Sequence, residues 1–361
     1  MKKIILMLII FSFFIAGCSG EDQAVKHKYT DSFFDTFDTL VRVVAYADSD
    51  EEYDQYLEQI HHRYMELHRL YDIYLDYEGI NNLKTVNDNA GVKPVEVGPE
   101  IIDLILFSKE MYSRTGGITN IAMGPVLKIW HHYRSEADYD PAGARVPPLE
   151  DLVEASRYTD LDQVIVDAEK NTVFLTDPRM SLDVGAVAKG FATEIVAKEI
   201  EAAGLTSGVI SAGGNVRLIG TPPEKERDRW GIGVQDPDAS IFGGEEKLLD
   251  VIYLESGSVD TSGDYQRYYV VDGKAYHHLI DPRTLMPAEH FRVVTVVADS
   301  AAVADFMSTS LFLVPFEQSY ALAESMNNFE ALWIFPDGKM EMTDGMSEML
   351  KSSGAGGSNA D

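Results

Sequence analysis

Apolar residues recur at helical spacing through residues 49–71, where Tyr53, Tyr56, Leu57, Ile60, Tyr64, Leu67, Leu70 and Tyr71 mark one face of an amphipathic helix. The same pattern predicts helices over 99–116, closed by Gly116-Gly117, and over 149–157, 189–203 and 316–326. A short helix is expected at 80–87 inside an Asn-rich loop. β-Branched and apolar runs predict strands at 40–46, 208–210, 216–220, 293–298 and 331–335, and a hairpin from 163–167 to 172–176. The stretch 230–276 reads as strand-rich with glycine turns. Helices and strands mix without regular βαβ alternation, which predicts an α+β fold.

The run 293–298 is largely apolar and β-branched, with Thr295 its one hydroxyl, the mark of a buried strand. Asp299-Ser300 then offers a helix start. The helix that follows carries Asp305 and Thr309 four residues apart, on one face and about one turn from each other. A carboxylate and a hydroxyl so placed either supply two hard oxygen ligands for Mg²⁺ or bond to each other locally.

The chain has 361 residues and a net charge of −29, which disfavours nucleic acid as a partner and makes an anionic substrate dependent on local help from backbone N–H groups, placed cations or a divalent metal. The N-terminus changes the picture further. Lys2-Lys3 precedes a twelve-residue apolar run at 4–15, too short to span a bilayer, which ends in Ile15-Ala16-Gly17-Cys18. This resembles a bacterial lipobox. It predicts a signal peptide over 1–17, lipidation of Cys18, a polar tether over 18–28 and anchorage on the extracytoplasmic face of a membrane. Cys18 is the sole cysteine, so a disulfide within one chain and a thiol nucleophile inside the fold are excluded. One folded domain is expected over 29–350, followed by a small-residue flexible tail over 351–361.

Further phrases carry candidate chemistry. In Ser181–Gly190, small residues and Lys189 at a helix start make either a phosphate cradle or a close-packed turn. Gly213-Gly214 forms a tight turn that lets a ligand approach the backbone. Thr261-Ser262-Gly263-Asp264-Tyr265 adds hydroxyls, and His278 is followed by Asp281 and Arg283. His278 suits a general base or a phosphate contact, or pairs structurally with Asp281. His61, His62 and His68, on the first helix, read as surface residues.

Together these phrases resemble the ApbE family of FAD:protein FMN transferases, from about residue 34 to residue 335. The resemblance rests on Phe34-Asp35-Thr36, Gly124-Pro125-Val126-Leu127-Lys128-Ile129-Trp130, Asp183-Val184-Gly185-Ala186-Val187-Ala188-Lys189-Gly190, Gly213-Gly214-Asn215, Trp230-Gly231-Ile232-Gly233-Val234-Gln235-Asp236-Pro237, Thr261-Ser262-Gly263-Asp264-Tyr265, His278-Leu279-Ile280-Asp281-Pro282-Arg283-Thr284 and Ala304-Asp305-Phe306-Met307-Ser308-Thr309. It implies an ApbE-like (T-fold-like) architecture of mixed sheets flanked by helices, with an FAD cleft between two lobes. It also implies Mg²⁺-dependent transfer of FMN from FAD to a Thr or Ser hydroxyl of extracytoplasmic redox flavoproteins, releasing AMP.

By the same resemblance Asp305, Thr309 and the backbone at Ala186 hold the metal, and His278 is the catalytic base or phosphate contact. Asn87, Asp183, Lys189, Gly213, Gly214, Thr261, Ser262, His278 and Arg283 line the flavin-nucleotide site. Two residues depart from the family pattern: Leu285, where many members have Gly, and Asp260, where a small apolar residue is common. FAD hydrolysis to FMN and AMP, and flavin binding without catalysis, are the competing activities.

Overall fold

In the computed structural model, which describes residues 26–224, 227–238 and 247–356, the run Val293–Ala298 lies inside an eight-stranded sheet. The spatial order of the strands follows the chain: His27–Thr36, Thr39–Ala47, Gly208–Ala212, Asn215–Ile219, Gly257–Gly263, Val293–Ala298, Phe329–Ile334 and Met340–Met342. Every pairing among the described residues is antiparallel. All six residues of Val293–Ala298 are buried, as expected for a largely apolar run, and the one hydroxyl, on Thr295, is paired with that of Thr261. Val294, Val296 and Ala298 point into a core shared with the helices Asp50–Tyr71, Pro99–Arg114, Ala188–Ala202 and Ala301–Phe312. Val293 and Val297 point to the opposite face, covered by the hairpin Trp230–Gln235/Leu248–Leu254 and the helix Asp344–Met349.

The predicted helices form with ends shifted by one to three residues. Ser49 caps Asp50–Tyr71 by accepting from the Glu52 N–H, and its apolar face is buried. The short helix is Leu83–Asp88, closed at its start by an Asn82–Thr85 capping box. The strand His27–Thr36 begins inside the stretch read as a tether, because register with Thr39–Ala47 organises its backbone although most of its side chains are exposed. The stretch read as a flexible tail is ordered at its beginning. Lys351–Ser353 forms a 3₁₀ turn, and the Ser352 N–H donates to Asp250. The stretch expected to be a signal peptide, Cys18 and residues 357–361 lie outside the described residues.

A third, smaller core sets up the cleft. The helix Gly124–Tyr139 places Val126, Trp130 and Ala137 against the helix Leu149–Ser156 and the hairpin Tyr268–Val271/Lys274–His277. Trp130 Nε1 donates to the Leu285 carbonyl at 3.0 Å. Leu285 sits at φ 62°, the left-handed conformation that explains why glycine suits this position, and its side chain is buried in the same cluster.

The helices Ala188–Ala202 and Ala301–Phe312 lack a side-chain bond from their own N-cap residues, Val187 and Ser300. Each caps the other instead. Asp305 accepts from the Gly190 N–H at 2.7 Å, and Glu194 accepts from the Ala301 N–H at 2.7 Å. Gly190 permits this approach, since a Cβ there would lie 2.3 Å from the Ala301 carbonyl oxygen and 2.4 Å from the Asp305 Cβ. Gly190→Ala is expected to cost roughly 1–3 kcal/mol by forcing the helices apart. A denaturant midpoint equal to that of the parent would refute this packing account.

Candidate functional site

A cleft of about 1160 Å³ opens between the main sheet with its helices and the smaller layer built on Gly124–Tyr139. Three elements converge on its floor: the turn before Ala188–Ala202, the strand Gly257–Gly263, and the buried helix Ala301–Phe312. The structure brings Asp183, Ala186, Lys189, Gly213, Thr261, Ser262, His278, Asp305 and Thr309 together along its wall.

Asp305 is buried, and besides the Gly190 bond its Oδ1 lies 3.4 Å from Lys189 Nζ. It makes no bond to Thr309, so the local pairing that the i, i+4 spacing allowed does not form. The Thr309 hydroxyl contacts the Ser262 hydroxyl at 3.3 Å, and Ser262 contacts Ser308 at 2.9 Å. Ser308 in turn donates a short bond to Asp260 Oδ2. Burial, and next the nearby Asp305 charge, push the Asp260 carboxyl up to about 6.

Asp183 accepts from the Gly185 N–H at 2.9 Å, which shapes the turn that presents Ala186. Gly213 and Gly214, at φ 56° and 98°, make the two-residue turn between Gly208–Ala212 and Asn215–Ile219. Gly213 faces the cleft, whereas Gly214 is outside its lining. Thr261 lines the cleft, but its hydroxyl is engaged with that of Thr295 at 2.9 Å.

His278 does not pair with Asp281. Its Nδ1 is buried without a partner among the described residues, and the ring lines the cleft. Burial first, then the charges of Arg267, His277, Arg134 and Lys189, depress its pKa to about 3. The ring is therefore neutral in the folded protein. Its contribution to stability is complete above the ordinary value of about 6.5 and is lost as pH falls from there toward 3. His278→Gln should flatten the fall in stability between pH 7 and pH 5. Identical pH slopes in urea melts of parent and variant would contradict that.

Besides Gly214, two expected site residues stand outside the cleft lining. Asn87 bonds the Leu182 backbone twice, donating to its carbonyl at 3.0 Å and accepting from its N–H at 2.7 Å, so it clamps the segment entering Asp183. Arg283 forks onto Asp281 and donates to the Leu313 carbonyl, and it is outside the cleft lining. The Phe-Asp-Thr phrase occurs twice in succession in the sequence, and the two copies are placed differently. In the copy at 34–36, Phe34 is 68% exposed and Asp35 binds His61. The following copy, Phe37-Asp38-Thr39, lines the cleft.

Further cleft residues fall at helical spacing, which by itself does not separate a ligand-facing stripe from a solvent-facing one. Met123, Leu127, His131, Arg134 and Asp138 form one face of the helix Gly124–Tyr139 and its preceding turn. Arg134, Lys189 and Arg267 give the cleft three cations from three separate elements. His68, read as a surface residue, lines the aromatic end with Phe37, Tyr71 and Tyr74, and its Nδ1 accepts from the Phe37 N–H at 3.2 Å. Phe37 and Asp38 hold positive φ at the two-residue hairpin tip (51° and 48°), a conformation that this turn requires and Asp tolerates but that is uncommon for Phe.

Residues 37–333 match the sequence profile of the ApbE family. The chain is 32% identical over 282 residues to an FAD:protein FMN transferase of Treponema pallidum, covering 74% of this chain and 75% of that protein. It is 30% identical over 250 residues to one of Klebsiella pneumoniae, covering 69% and 73%. The structure superposes on the ApbE protein of Thermotoga maritima with a TM-score of 0.76 and 27% identity, covering 90% of this chain and 99% of that one. For the flavin transferase ApbE of Vibrio cholerae the TM-score is 0.71 at 21% identity, covering 90% and 100%.

Proposed function

The chain belongs to the ApbE family, and from that premise we propose that it is an FAD:protein FMN transferase whose cleft splits FAD and passes FMN to a protein hydroxyl. The observation that carries this reading is one cleft joining an aromatic end, three cations and a carboxylate–hydroxyl pair. Phe37, Tyr71 and Tyr74 offer flat apolar contact for the rings of a dinucleotide. Arg134, Lys189 and Arg267 draw in its diphosphate, which answers how so acidic a protein accepts an anion.

The donor set fits Mg²⁺. Asp305 and Thr309, with the carbonyl side of the Gly185-Ala186 turn, offer hard oxygens only, and a single carboxylate suits an ion that keeps water and phosphate ligands. When bound, the ion supplies charge neutralisation and alignment for phosphoryl transfer. The acceptor Thr or Ser oxygen forms the new bond to the FMN phosphorus. The P–O bond to AMP breaks, AMP leaves with the electron pair, and the hydroxyl proton goes to the neutral imidazole of His278. Lys189 holds the diphosphate beside Asp305 while this occurs.

The lipobox-like sequence ending at Cys18 supports anchorage outside the cytoplasm, which suits acceptors among extracytoplasmic redox flavoproteins. Among the described residues no helix is long and apolar enough to cross a membrane. Cells fed a labelled fatty acid should label the parent protein and not Cys18→Ala, and an unlabelled parent counts against the anchor.

The direct test mixes full-length protein, FAD, Mg²⁺ and a candidate acceptor domain. In-gel flavin fluorescence on the acceptor, abolished by chelator, is the expected result. FMN and AMP without a labelled band would make the protein a hydrolase, and unchanged FAD would make it a binding protein.

A further inference from the structure

The Mg²⁺ reading leaves Asp260 unused, although it is buried, lines the cleft, and stands on the same strand face as Ser262. It ends a chain of three hydroxyls: Thr309 to Ser262 at 3.3 Å, Ser262 to Ser308 at 2.9 Å, and Ser308 to Asp260 by a short bond. Each hydroxyl has one proton to give, whereas an ionised carboxylate only accepts. Ser308 donates to Asp260, so it accepts from Ser262, and Ser262 is then free to accept from Thr309. The Thr309 proton is thereby turned toward Ser262, and the lone pairs of its oxygen are left for the cleft.

The geometry points to Asp260 as a positioning residue that, through Ser308 and Ser262, fixes the proton of Thr309 away from the cation. The inference rests on the reading of Thr309 as a cation ligand. A threonine hydroxyl binds a metal through its oxygen, so a proton pointed at the ion opposes binding. Outer groups that orient ligands are worth roughly 10–100-fold in metal affinity. Ser308 has a second acceptor, the Asp305 carbonyl at 3.0 Å, but a carboxylate is the stronger acceptor and takes the shorter bond.

Charge alone offers a rival account, since a second carboxylate near the ion attracts it whatever the hydroxyls do. The two accounts predict opposite orders of effect. Ser308→Ala breaks the relay and leaves the charge count unchanged. Asp260→Asn removes a charge and keeps an amide oxygen able to accept from Ser308.

The experiment titrates Mn²⁺, a spectroscopically visible probe, into the full-length protein without FAD and follows the free ion by electron paramagnetic resonance. Thermal midpoints are measured alongside. The relay predicts that Ser308→Ala weakens Mn²⁺ binding by about tenfold or more, with a smaller loss in Asp260→Asn. The reverse order, or no loss in Ser308→Ala, overturns it. Asp305→Ala is the control for the underlying reading. If that variant binds Mn²⁺ like the parent, the cation site itself is wrong. If it loses binding while Ser308→Ala does not, only the relay falls.

Discussion

Asp305→Ala is expected to lower the rate of FMN transfer by roughly 10³-fold or more, on the scale of losing a preorganised electrostatic group at a transition state. The side chain holds three things at once: the proposed metal, the Gly190 N–H at the start of one helix, and the Lys189 ammonium. Its loss leaves a buried N–H unpaired, which costs about 1–3 kcal/mol. Activity and stability must therefore be separated. Asp305→Asn keeps an oxygen for Gly190 and gives up the charge. It should unfold at nearly the parent temperature yet transfer almost as slowly as the alanine variant. Rapid transfer by Asp305→Asn would remove this carboxylate from the chemistry.

His278→Ala should reduce kcat by about 10²–10⁴-fold, the usual worth of a positioned acid–base group, with a change in FAD affinity of less than about tenfold. The surrounding cations explain why the ring suits the task only when substrate is present. In the free protein Arg134, Arg267 and Lys189 help hold it neutral, and its affinity for a proton is low. A bound diphosphate offsets those charges and raises that affinity, which prepares the ring to accept the hydroxyl proton. Parallel losses in kcat and FAD affinity would make His278 a binding residue.

The floor of the cleft was legible in the sequence because its elements are extreme cases of their kind. Val293–Ala298 is apolar at every position but Thr295, and the next helix buries nearly all its residues, so Asp305 and Thr309 stand out as polar groups in an apolar context. The helix Gly124–Tyr139 was not legible as a helix. Its His131, Arg134 and Asp138 resemble a solvent face but line the cleft, and Pro125 in its first turn was the local signal that marked it. The cations at 134, 189 and 267 come together only through tertiary packing, which no spacing rule reports. The two adjacent Phe-Asp-Thr phrases were separable only by structure, since the hairpin tip at Phe37-Asp38 decides which copy meets the cleft. Asn87 and Arg283 lie close to the site in sequence terms, yet their polar groups are spent on the backbone of Leu182 and on Asp281 and Leu313.

The order of strands in the main sheet also governs how the chain can fold. Three joins in the sheet pair strands separated by inserted chain that carries further strands: 220–256 before Gly257–Gly263, 264–292 before Val293–Ala298, and by far the longest, 48–207, where Thr39–Ala47 meets Gly208–Ala212. During synthesis the first hairpin emerges long before its partner strand exists. Until residue 208 is made, Val41, Val43 and Ala45, all buried in the finished protein, stand on an unpaired edge. Closing so long a loop carries an entropic cost that local contacts cannot offset early. The helices between the two strands can form in that interval, and they shape the surface onto which the sheet finally closes.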